Sequence, residues 1–407
     1  MSKEKRRVPK LRFPGFTEDW EQRKADYIFK SVTEKGYPEL PVLSASQELG
    51  MVYRNQNGID IQHDKKNESS YKRVSPGQFV IHLRSFQGGF AYSEVEGITS
   101  PAYTVMSFKN SSEQYGLFWK YVFKSETFIK RLETITYGIR DGRNISFSDF
   151  KSLMLQYPSF LEQELIGDLI AIIESGITLH QRKLNNLKLK KKALLQKLFP
   201  KNGERYPELR FPGFTDAWEQ RKLGSIGSTY TGLSGKTKED FGHGEAQYIT
   251  YLNVFQNTIS NITMTDKVEI DTTQTEVKYG DVLFTTSSET PEEVGMSSVW
   301  LGDTPNTYLN SFCFGFRPKQ KIDLYFLGYS LRAPYMRDKI KILAQGISRY
   351  NISKNKVMEL EISLPNNEEQ NLLGNFLRHI DLIITLHQRK LDHLQLQKKA
   401  LLQQMFV

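Results

Sequence analysis

LHQRKLNNLKLKKKALLQKLF, residues 179–199, returns as LHQRKLDHLQLQKKALLQQMF at residues 386–406. Working outward from the first copy, apolar residues step by alternating fours and threes from Glu162 onward: Ile166, Ile170, Ile173, Ile177, then Leu184, Leu187, then Leu194 and Leu198. That spacing keeps one narrow stripe of a helix apolar, as in the seam of a coiled coil. The heptad sites between them hold His180 and Lys191. The second copy repeats the stripe 207 residues later through Leu373, Leu377, Ile380, Ile384, His387, Leu391, Leu394, Lys398, Leu401 and Met405. Both polar breaks coincide. Matching breaks are what two helices need to pair with each other in one register, because a mismatched buried polar group costs stability. The other reading packs each helix separately on its own domain.

A second pair of segments opens the two halves of the chain. PKLRFPGFTEDWEQRK at 9–24 returns as PELRFPGFTDAWEQRK at 207–222, an offset of 198, so the second half carries a net insertion of nine residues. Between these anchors the halves diverge, with traces of correspondence such as Ser75-Pro76-Gly77-Gln78-Phe79 beside Lys278-Tyr279-Gly280-Asp281-Val282. One frame is therefore used twice with two different fillings. The fillings contain short β-branched and aromatic runs, Gln78 to Leu83 and Asp281 to Thr286, broken by Gly, Pro, Asn and Ser, with a helical patch at Gln114 to Leu132. The expected fold class is α+β: two tandem α+β domains in a pseudo-twofold arrangement, separated by two long helices that form an antiparallel coiled coil. The expected segments are 1–24 (first repeat), 25–158 (first variable domain), 159–206 (central helix and linker), 207–222 (second repeat), 223–365 (second variable domain) and 366–407 (C-terminal helix).

Composition narrows the function classes. The chain has 407 residues, enough for two or three domains with their own cores. A single cysteine, Cys313, excludes an intrachain disulfide and argues against a structural zinc site, so a cytoplasmic setting is expected. The charged start MSKEKRRVPK is not followed by an apolar run, and no stretch of about eighteen apolar residues occurs, so neither secretion nor a membrane span is expected. Fifty-five Lys and Arg against 46 Asp and Glu give a net charge of +9, a modest push toward a polyanionic partner.

Candidate contact residues sit on glycine-bearing loops. Gly138-Ile139-Arg140-Asp141-Gly142-Arg143-Asn144-Ile145-Ser146 corresponds to Gly346-Ile347-Ser348-Arg349-Tyr350-Asn351-Ile352-Ser353. Arg140, Arg143 and Arg349 offer a planar fork that suits a phosphate or a guanine edge, and a domain-closing turn with an exposed arginine fits equally well. Arg84, Gln87, Lys236, Ser287, Ser288 and Tyr350 complete the candidate DNA-contacting set. Lys188, Lys190, Lys191, Lys192 and Lys197 form either a solvated helix face or a phosphate contact. His180 and His387 lack ligand partners at metal spacing and read as a structural polar layer.

Catalytic signatures are missing. Thr231-Gly232-Leu233-Ser234-Gly235-Lys236-Thr237 resembles the end of a phosphate loop, but Tyr230 stands where its first glycine is required. Asp271 followed by Glu276-Val277-Lys278 has the loose order of some metal-dependent nucleases, yet it has no counterpart in the other half. No glycine-rich S-adenosylmethionine loop follows a strand, and no Asn or Asp precedes Pro-Pro-Tyr or Pro-Pro-Phe. Neither a catalytic centre nor a metal site is expected.

Together the duplicated FPGFT..W entry, the G...R.NIS step, Glu162-Gln163 with Glu369-Gln370, and the L.QRKL...K.ALLQ.(L/M)F run resemble the specificity subunit of Type I restriction-modification enzymes. The resemblance covers the whole chain. It implies a non-catalytic chain whose residues 25–150 and 223–357 are two target-recognition domains, each reading one half of a bipartite asymmetric site in double-stranded DNA. It implies that the helices set the gap between half-sites. It further implies two modification subunits that supply S-adenosylmethionine-dependent adenine methylation, and restriction subunits that bring ATP, Mg and cleavage, with no cofactor in this chain. A stand-alone site-specific regulator is the alternative. One departure, Tyr157-Pro158-Ser159-Phe160-Leu161 against Leu364-Pro365-Asn366-Asn367-Glu368, leads to the expectation that the two helix starts differ slightly.

Overall fold

A computed structural model describes residues 7–46, 49–54, 65–82, 89–133 and 145–407. The chain divides into two compact units, one of Met1–Gln181 with Arg389–Val407 and one of Arg182–Gln388. Both divisions fall inside a long helix, so each unit owns the first half of one helix and the last half of the other.

The long helices are Phe160–Lys197 and Asn367–Gln404, each of 38 residues. Their starts lie at equivalent positions of the repeat, which corrects the expected offset. Different residues do the same work there: Ser159 Oγ accepts from Glu162 N at 3.5 Å, and Asn366 Oδ1 accepts from Glu369 N at 2.9 Å. None of the eighteen apolar and histidine seam positions is exposed. Inside the first unit the two helix halves run antiparallel, with Lys398 at Glu174 and Leu394 against Gly176. Inside the second unit Lys191 meets Asp381.

In the first unit, strands Phe29–Val32, Thr104–Phe108, Phe79–Ile81 and Phe90–Tyr92 make an antiparallel four-stranded sheet in that order. Phe79–Ile81 is buried throughout, so its run is continuously apolar rather than alternating. Phe29 is the hub of the core, with the rings of Phe79, Phe108, Trp119, Phe123 and Phe150 within 6.1 Å. The entry repeat forms strand Glu21–Lys24, which pairs with Met154–Tyr157. The chain's last turn closes this unit, with Phe406 packed on Phe118 at 5.7 Å and Leu11 N donating to Gln404 O at 2.9 Å.

The second unit repeats the plan with more sheet. Gly227–Thr231, Cys313–Pro318, Val282–Thr285 and Ser297–Val299 form the equivalent four-stranded sheet. A three-stranded sheet of Thr265–Val268, Phe241–Ile249 and Thr307–Leu309 is added, its last pair parallel. Entry strand Glu219–Lys222 pairs with Glu361–Leu364. Here the end of the first long helix closes the unit: Phe199 packs on Phe326 at 5.7 Å, and Leu209 N donates to Lys197 O at 2.8 Å.

Candidate nucleic-acid interface

The frame places its charged groups identically in both units. Arg12 forms a bidentate pair with Glu162 at 2.7 and 2.8 Å, and Arg210 does the same with Glu369 at 2.7 and 2.7 Å. Next to each glutamate, Gln163 donates to Pro158 O and accepts from Tyr115 N, while Gln370 donates to Pro365 O and accepts from Asp323 N. The repeated Glu-Gln pair therefore ties each helix start to its entry segment and to the domain behind it. Tyr121 and Lys398 converge on Glu174, and Tyr329 and Lys191 on Asp381.

The polar groups that differ lie in the variable parts. In the second unit Ser287–Ser288 pairs antiparallel with Tyr350–Asn351, with Ser287 opposite Asn351 and Ser288 opposite Tyr350. Four expected contact residues, Ser287, Ser288, Arg349 and Tyr350, thus meet in one place. Ser287, Ser288 and Arg349 border a cleft of about 350 Å³. Its floor is the stacked pair Tyr251 and Phe255, with rings 5.8 Å apart, and its rim carries exposed Leu252 and Phe312. Glu289, Glu293 and Arg349 supply its charges. Tyr251 donates to Ser287 O at 2.6 Å, and burial pushes its phenol up.

Two half-buried arginines fix this wall. Arg332 donates to the carbonyls of Ser297, Val254 and Phe255, and Arg337 to those of Gly295, Glu292 and Val294. Burial pushes Arg332 down to about 9 and Arg337 down to about 10. Their charge is spent on loop carbonyls, which holds the segment after Ser288 before any ligand arrives.

Lys236 is engaged elsewhere: its Nζ lies 2.8 Å from Asp271, so the incomplete phosphate loop and the nuclease-like carboxylate neutralise each other. Asp271 is held well below the usual carboxylate range by Lys236 and Thr273. Glu276 accepts from Asn306 N instead, and no cluster of His, Cys, Asp or Glu suited to a metal occurs among the described residues. Of the helix lysines, Lys191 and Lys197 are in ion pairs, while Lys188, Lys190 and Lys192 are exposed. Arg84, Gln87, Arg140 and Arg143 lie outside the described residues. Sequence reasoning missed Glu289, Glu293 and Phe312. The run Ser287-Ser288-Glu289-Thr290-Pro291 after an apolar strand was the available signal for a functional loop.

No helix among the described residues is long and apolar enough to cross a membrane. Apolar residues do stand exposed on the long helices at equivalent positions: Leu165 and Leu372, Leu179 and Leu386, Leu189 and Leu396.

The family model of the Type I restriction modification DNA specificity domain matches residues 215–396. The chain is 22% identical over 264 residues to the Type I restriction enzyme MjaVIII specificity subunit of Methanocaldococcus jannaschii, covering 62% of this chain and 61% of that relative's length. In fold it is similar to the Type I restriction-modification S subunit from M. genitalium, with a TM-score of 0.58, 15% identity, and 98% and 99% of the two chains covered. It is also similar to a chain from a structure describing complex assembly and conformational transition of the type I R-M system, with a TM-score of 0.51, 15% identity, and 97% and 98% covered.

Proposed function

We propose that this chain, whose residues 215–396 match the family model of the Type I restriction modification DNA specificity domain, is the DNA-reading, non-catalytic subunit of a Type I restriction-modification enzyme. Each unit reads one half of a bipartite asymmetric site in double-stranded DNA. The observation that carries this reading is the duplication of one frame, down to the Arg12–Glu162 and Arg210–Glu369 pairs, around two different fillings. A frame used twice presents the same surface twice, while different fillings read different sequences.

Two modification subunits would dock on the two equivalent stripes through Leu165, Leu179 and Leu189 and through Leu372, Leu386 and Leu396. Adenine methylation with S-adenosylmethionine, and translocation and cleavage with ATP and Mg, would belong to modification and restriction subunits. In the second unit, base and phosphate contacts would come from the cleft bordered by Ser287, Ser288 and Arg349. The two long helices would set the gap between half-sites.

Co-expression with a modification subunit, followed by methylome sequencing, tests the proposal. A single bipartite motif is the expected result, and exchanging residues 25–150 with those of another such subunit should change one half of it and keep the other. Site-specific binding without methylation in an assembled complex would make the chain a stand-alone regulator instead.

A further inference from the structure

The loop that carries Arg349 also carries Ile347, a residue 97% exposed, more than any other large hydrophobic residue among those described. This exposure does not belong to a frayed segment. Gln345 N donates to Asn351 O at 3.0 Å and Asn351 N donates to Gln345 O at 2.8 Å, closing the loop at its base. Tyr350–Asn351 is then paired to Ser287–Ser288, and Ile352 is buried, with its N–H on Thr286 O. At the bend, Gly346 has φ +136°, and a Cβ there would lie 2.0 Å from Arg349 O, so only glycine permits the shape. A rigid loop thus holds an isoleucine out in solvent beside a polar, aromatic cleft.

The charges of the cleft bordered by Arg349 of the same loop bear on which surface of DNA it meets. Glu289 and Glu293, two of the three charged groups that line the cleft, oppose close approach to phosphates or to the strongly negative minor groove, while the third, Arg349, offers a fork that suits a guanine edge in the major groove. Carboxylates are tolerated in the major groove, where cytosine and adenine present amine donors. The apolar group that the major groove offers an aliphatic side chain is the 5-methyl of thymine. Resting on the DNA-reading function proposed above, we infer that Ile347 packs on the 5-methyl group of a thymine in the half-site read by the second unit. The other half of the chain has the same Gly-Ile step at Gly138-Ile139.

The test uses the full chain assembled with its modification subunit and duplexes carrying the site found by methylome sequencing. Each thymine of the site is replaced in turn by uracil, which removes the methyl group and leaves the base pairing. One replacement should weaken binding about three- to fivefold, the value of one buried methyl. Ile347→Ala should erase that difference. Ile342→Ala, at another exposed isoleucine outside the loop, should keep it. Insensitivity to every uracil, or a sensitivity that survives in Ile347→Ala, overturns the inference while leaving the DNA-reading function intact. Absence of any sequence-specific binding by the assembled protein sinks that function, and this inference with it.

Discussion

Lys191 Nζ lies 2.6 Å from Asp381 Oδ1, and the same pair recurs in the repeat as Lys398 Nζ at 2.7 Å from Glu174 Oε1. Each lysine occupies a polar break in the seam, and each is answered by an acid one helical step off the apolar stripe. Tyr329 and Tyr121 donate to the same two carboxylates at 2.7 and 2.9 Å. The breaks are latches: a helix slipped by one heptad would leave a half-buried lysine and a half-buried acid unpaired, which costs more than the pair itself contributes.

Reversing one latch tests its role in register. Lys191→Asp sets two carboxylates face to face and should lower stability by roughly 2–4 kcal/mol. The double change Lys191→Asp with Asp381→Lys should recover most of that loss. Denaturant midpoints of the three proteins measure it, and a double variant no better than the single one would remove the pair from any role in register.

Acid should weaken the first unit through Glu174. Burial opposes ionisation of this side chain, but the hydrogen bond from Lys398 and the charges of Lys124 and Lys120 prevail and hold it at about 2, against an ordinary 4.5. Because the folded value is depressed, the stabilisation is present above about pH 4.5 and is lost as pH falls toward 2. Thermal unfolding of Glu174→Gln should have a shallower dependence across that window. Identical pH profiles for the two proteins would contradict the assignment.

Glu369 is 1% exposed and depends on Arg210 for its compensation. Arg210→Ala should cost about 3–5 kcal/mol by leaving a buried carboxylate unpaired, whereas Arg210→Met with Glu369→Leu should be far milder. Calorimetric melting of both variants separates a lost attraction from a stranded charge. Equal losses would mean that packing, not charge, dominates there.

The apolar stripes should be separable. Leu165→Glu with Leu179→Glu changes exposed residues on the first helix only, so melting should stay within about 0.5 kcal/mol of the parent. With the docking proposed above, native mass spectrometry of the assembly should show two modification subunits on the parent and one on the variant. Two bound copies would place the docking surface elsewhere.

Much of the frame was legible in the sequence because it is written in local periodicity. The seam from Ile166 to Leu198 and its copy from Leu373 to Met405 are buried or half-buried at every apolar position, as their spacing required. The two catalytic-looking fragments fall short on residue identity alone, and the structure adds that Lys236 and Asp271 pair with each other. The cleft was only half legible. Spacing along the chain marks Ser287, Ser288 and Arg349 as candidates but does not say that they meet, and it does not mark Glu289, Glu293 and Phe312.

The sequence by itself determined that the chain is a duplicated α+β frame with two equal long helices, because helix periodicity and near-identical repeats are properties of the chain read in one dimension. Only the tertiary structure decided which segments close which unit. Phe406 joins Trp20 and Phe118 in one core, and Phe199 joins Trp218 and Phe326 in the other. It also decided that Tyr350 would lie beside Ser288, and that the lysine breaks of the seam would be answered by Glu174 and Asp381. The physical reason is that an apolar face or a backbone donor is generic and carries no address. Its partner is chosen by the burial and hydrogen bonding of the whole unit, and that choice cannot be read from spacing along the chain.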